Sequence, residues 1–131
     1  MSKQSSPKNP VSSADADKFE DYIQQWQTKL NLNDWRIVRS SKRVNGAMAQ
    51  VSKIYLEDRL VSYKIGSDFG TEGVSDHTLE STAVHELLHV LLYELVELAA
   101  TPGHTQEQLM SVEHRVVNTL EGLLVPKPPK Q

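Results

Sequence analysis

Two histidines four residues apart, with a glutamate directly after the first, stand in STAVHELLHVLLYEL at residues 81–95. On a helix, residues four apart point the same way, so His85 and His89 can each offer a ring nitrogen to one ion. Glu86 lies about a hundred degrees further round. That is too far to join the pair comfortably, yet near enough to take a proton from water at the ion's remaining position. This is the mechanical content of H-E-x-x-H: two zinc ligands and a general base on a single helix. The bland alternative is a pair of partly buried helical histidines bonded to carboxylates.

Two ligands leave a catalytic zinc site one protein group short. Glu94 and Glu97 share the helix with the histidines, but the first faces elsewhere and the second lies two turns beyond His89. His104, in the loop TPGH, would have to fold back. Glu113 and His114 belong to a last helix that must return antiparallel to the first, because the connection is short. Glu113 is bordered by Val112, Val116 and Val117, a setting in which a carboxylate wants a partner. The order of preference for the third ligand is Glu113, then His114, then His104. Tyr93, Tyr55 and Tyr63 are possible oxyanion donors, with packing the competing role for each.

The elements that must place these groups are legible in outline. Residues 1–14 are polar and rich in serine and proline, and read as a disordered tail. Residues 15–125 form one domain, and 126–131 a Pro/Lys-rich tail. Within the domain, Phe19, Tyr22, Ile23, Trp26 and Leu30 recur at helical spacing, with Asp15 and Asp17 near the helix start. WRIVRS, residues 47–54 and residues 60–65 read as strands, the last by strict alternation, with a turn at Glu57–Asp58–Arg59. The histidine helix runs from about Thr78 to Leu98 under a cap from Ser75, Asp76 or Thr78. Thr105 and Gln108 form a capping box for a final helix from Gln106 to about Leu123. The fold class is α+β: an N-terminal helix, a short, mostly antiparallel sheet of three to four strands, then two helices packed on one side.

Bulk properties narrow the function. A chain of 131 residues without cysteine has no disulfides, iron–sulfur cluster or thiolate metal site. The first ten residues hold no apolar core, and Glu86, Glu94 and Glu97 interrupt the longest apolar run, so neither a signal peptide nor a membrane span is expected. The expected compartment is the cytoplasm. A net charge of −3 with scattered basic residues argues against nucleic acid as a partner.

With HELLH followed by EHRVVNTLEGLLVP, the chain resembles zincin metallopeptidases whose third ligand is a glutamate. It is most similar to small phage-associated metallopeptidases and more distantly to ImmA/IrrE-like peptidases, whose ligand-bearing helix ends in an apolar pair and a proline. LNLNDWRIV and VSKIYLEDRLVSYKI also look like the phage group, so the likeness spans roughly residues 16–126. It implies a small zincin-like domain binding Zn2+ through His85, His89 and Glu113, with Glu86 as general base. It also implies a protein or peptide substrate held by an edge strand between residues 47 and 65, and the host cytoplasm as location. The metzincin extension after His89 is absent. Two other functions compete: a metal-dependent hydrolase of another bond, such as a YbeY-like ribonuclease, and a non-enzymatic, metal-stabilised interaction protein.

Overall fold

The computed structural model describes residues 8–128, in the order α1 (Ser13–Lys29), β1 (Arg36–Arg39), β2 (Ala49–Tyr55), β3 (Leu60–Ile65), a 3-10 turn (Gly70–Glu72), α2 (Asp76–Ala100) and α3 (Gln106–Leu124). The fold is α+β, as expected. Each α-helix starts under a reciprocal capping box: Ser12 with Asp15, Ser75 with Thr78, and Thr105 with Gln108. Each pair satisfies amide hydrogens that the first helical turn would otherwise leave bare.

The three strands form one sheet in the order β1-β3-β2, so β3 is central and β2 an edge. β2 and β3 are an antiparallel hairpin, whereas β1 joins β3 in parallel, Arg36 beside Leu60. β3 keeps the alternation of its sequence. Val61, Tyr63 and Ile65 are buried, and they meet Phe19 and Ile23 of α1 and Leu79, Ala83, Leu87 and Val90 of α2 in one core. Trp26 Nε1 donates to Glu80 at 2.8 Å and Lys18 pairs with Asp76 at 2.9 Å, tying α1 to α2.

The hairpin turn places Arg59 at φ 50°, a left-handed conformation that costs a non-glycine residue about 1–2 kcal/mol. Its guanidinium lies 5.4 Å from the Trp35 ring centre and 3.5 Å from Glu94. Arg115 of α3 reaches the same Glu94 at 3.1 Å. One carboxylate of α2 thus bridges the hairpin and the last helix.

The N-terminal boundary needs correction. Residues 1–7 of the expected tail lie outside the described residues, but residues 8–14 are structured. Val11 is buried and its N–H donates to the Ser67 carbonyl. Asp68 accepts from the amides of Lys8, Asn9 and Gly70. The bonds from Lys8 and Asn9 span some sixty positions, which local composition cannot reveal. At the other end, 126–128 have no regular structure and 129–131 lie outside the described residues.

Gly66, at the end of β3, holds the start of β2. A Cβ there would collide with the backbone carbonyl of Ala47 and sit 2.8 Å from that of Met48. Gly66→Ala is therefore expected to lower stability by about 2 kcal/mol or more, whereas Gly122→Ala, with open space on α3, changes it little or raises it. Denaturant unfolding of both variants checks this. Acid provides a second check. Amide hydrogens, first that of Gly70 and then that of Asn9, hold the Asp68 carboxyl below its ordinary 3.8. Its contribution is complete above that value and disappears as pH falls through the lower, folded one. Protection of the Asn9 and Gly70 amides, taken relative to the intrinsic exchange rate at each pH, should fall on acidification through that range, and Asp68→Asn should abolish the dependence.

Candidate metal centre

The setting of α2 decides which residues face the groove beside it. Leu79, Ala83, Leu87 and Val90 all turn into the core. At about a hundred degrees per residue, that orientation sends His85 and His89 outward and leaves Glu86 on the seam between core and surface. His85 and His89 are exposed and Glu86 is buried. The imidazoles meet edge to face with ring centres 5.0 Å apart. One ligand atom from each of His85, Glu86 and His89 lies within 4.8 Å of the others, close enough to hold a metal ion.

Glu86 is held by β2. The ladder slips between Val51, opposite Tyr63, and Lys53, opposite Ser62, so Ser52 is an extra residue forming a β-bulge. Beside the bulge, the Val51 N–H donates to Glu86 Oε1 at 2.8 Å. The second oxygen, Oε2, stands 3.8 Å from His85 Nε2, beyond hydrogen-bond range. One oxygen is anchored while the other stands on the side of His85. The Val51 amide could not have been found from sequence, because a backbone donor leaves no residue-type signal.

A groove of about 530 Å³ runs between β2 and this face of α2, lined by Gln50, Val51 and Ile54 on one side and Glu86, His89 and Tyr93 on the other. Tyr93 alone of the three tyrosines lines it. Its phenol is held above its ordinary value, first by desolvation and then by Glu97 nearby, and so stays a proton donor. Tyr63 is a core residue, 5.6 Å from Phe19 between ring centres, and Tyr55 is exposed at the end of β2.

Glu113 is not gathered into this cluster. The sequence argument took Val112, Val116 and Val117 as one inward border. In the structure Val112 and Val116 are buried but Val117 is exposed, and Glu113 stands on the exposed side of α3 with it. His114 is exposed as well. His104 closes the α2–α3 turn through Nδ1 to the Thr101 carbonyl at 2.8 Å. α2 itself ends eleven residues past His89, about 16 Å along its axis. Among the described residues, the group of side chains close enough together to hold a metal ion is His85, Glu86 and His89.

The donor set suits a borderline ion such as zinc, with two imidazole nitrogens and a nearby carboxylate and no sulfur. The anchoring of Glu86 makes a stability prediction that does not depend on metal. Glu86→Ala removes the side-chain acceptor of Val51 N–H and should cost about 1–3 kcal/mol. Glu86→Gln keeps an oxygen there and should cost less. Denaturant midpoints of the two variants test this, and equal midpoints would show that the bond contributes nothing. No protein-family model, curated protein or solved structure matches the chain, so its chemistry is argued from these residues.

Proposed function

We propose that the chain is a zinc-dependent peptidase in which His85 and His89 hold the ion and Glu86 is the general base. The observation that carries this reading is the division of labour within one buried carboxylate: Oε1 is fixed by the Val51 amide at 2.8 Å, and Oε2 stands 3.8 Å from His85 Nε2. A purely structural histidine pair has no use for such a group, since burying a carboxylate is costly and a neutral side chain would fill the space.

Zinc, when bound, supplies polarisation of a carbonyl and acidifies water in its vicinity. The rest is the protein's work. Glu86 accepts a proton from the attacking water and delivers it to the departing amine nitrogen. The Tyr93 phenol is a donor on the groove wall where oxyanion charge can be met. β2 is an edge strand, and the amides and carbonyls along its outer side offer pairing to an extended peptide. Glu113 enters this proposal as third ligand on the strength of the resemblance. Among the described residues, no ion pair or hydrogen bond engages its carboxylate, which leaves it available to be recruited from α3.

The ribonuclease reading is the weaker one. It calls for a third histidine, and His104 and His114 lie outside the cluster just as Glu113 does, so the preference for a peptidase rests on Glu86 and on the resemblance.

Metal analysis and cleavage assays test the proposal together. Wild type should carry about one zinc per chain, lost in His85→Ala and His89→Ala and reduced in Glu113→Ala but not in His114→Ala. Glu86→Gln should retain zinc while cleavage of an unstructured protein falls by a hundredfold or more. A wild type without metal would overturn the site. Zinc-loaded protein that leaves polypeptide intact and digests RNA would overturn the choice of substrate. Unchanged zinc in Glu113→Ala would remove that residue from the ligand set.

A further inference from the structure

Nine large apolar side chains are exposed among the described residues, and six of them are Leu92 and Val96 of α2 and Met110, Val117, Leu120 and Leu124 of α3. They share one side of the helix pair. On the other side, Val90 and Glu94 of α2 line a groove with Arg115 and Thr119 of α3. Counting about a hundred degrees per residue from those positions, and allowing for the opposite directions of the two helices, all six point away from that groove. On α3, Met110, Val117 and Leu124 repeat every seven residues with Leu120 between, which is the spacing of a seam that packs on another helix. Val96 and Leu124 are 62% and 81% exposed, so nothing among the described residues covers the surface. A contiguous apolar face of this kind marks an interaction site.

Charge identifies the partner. Of the five carboxylates of α2, Asp76, Glu80, Glu86 and Glu94 are engaged away from this face, by Lys18, Trp26, the Val51 amide and the pair Arg59 and Arg115, and α2 has no lysine or arginine. α3 adds Glu107, Glu113 and Glu121 against one cation, Arg115, which turns away to Glu94. A second copy presenting the same face would bring carboxylates against carboxylates, and an anionic membrane would be repelled. We infer that the exposed α2–α3 face docks a cationic amphipathic helix of a partner protein, its leucine-like face on Val117 and Leu124 and its lysines or arginines beside Glu107 and Glu121. His85, Glu86 and His89 take no part in this docking, but the face adjoins their site, because Leu92 and Val96 also line the groove beside Glu86 and His89; the variants below therefore change α3 positions outside that groove.

The test uses two labelled synthetic helical peptides with the same leucine pattern, one with lysine and the other with glutamate at the polar positions. Each is titrated against the whole chain by fluorescence anisotropy. The lysine peptide should bind at least tenfold more tightly, and added salt should weaken it. The variant Val117→Asp/Leu124→Asp, which alters exposed positions only and whose fold is checked by circular dichroism, should lose binding. Glu107→Lys/Glu121→Lys should reduce or reverse the preference, and its response separates a charged docking face from a merely sticky one. Equal binding of both peptides, or of neither, would overturn the inference. So would a wild-type dimer in sedimentation that Val117→Asp/Leu124→Asp dissociates, because a second copy would then be the occupant.

Discussion

The rotation of α2 about its own axis is the constraint on which the rest of the structure depends. Leu79, Ala83, Leu87 and Val90 are each almost completely buried against α1 and β3. Burying a leucine or valine contributes roughly 1.5–3 kcal/mol, so turning the helix would forfeit several such terms at once. With that face locked, His85 and His89 have to look outward and Glu86 has to sit at the boundary. The same rotation assigns Glu94 to the other groove, where it bridges Arg59 and Arg115. A helix with charged and apolar residues on several sides is thus committed to one setting by its smallest and most aliphatic face.

Glu86 is the local exception to that economy. A carboxylate at 7% exposure is a poor choice for stability unless something offsets its lost hydration. The Val51 amide, beside the bulge at Ser52, is what the fold provides. Bulges bend a strand and re-aim single groups, and here one backbone donor is directed toward one side-chain oxygen. The position of Glu86 therefore depends on β2, and the position of β2 depends in turn on the close approach of Gly66 to the backbone of Ala47 and Met48.

Much of the fold was legible in the sequence because it is encoded locally. The alternation in RLVSYKI predicted the buried side of β3, and the pair Thr105 and Gln108 marked the start of α3 at the observed residue. What was not legible was set by distant contacts. The parallel pairing of β1 with β3 and the anchoring of residues 8–11 on the Asp68 loop join segments whose local patterns do not mention each other. Glu113 shows a different limit. α3 has two apolar stripes, one buried through Val112 and Val116 and one exposed through Met110, Val117 and Leu124. Helical spacing alone does not say which of them faces α2, and Glu113 borders both. The histidine pair was readable because a four-residue spacing within one helix is itself local.

The two exposed features of α2, the histidines and its share of the apolar face with α3, are consequences of the same locked rotation. The most direct measurement for the central claim is a crystal structure of zinc-loaded protein with anomalous data collected at the zinc edge. The account predicts a peak about 2.0–2.1 Å from a ring nitrogen of His85 and of His89, with Glu86 Oε1 still on the Val51 amide and Oε2 turned toward the ion's open side. An anomalous peak away from both histidines, or a Glu86 carboxylate turned out into solvent, would contradict it.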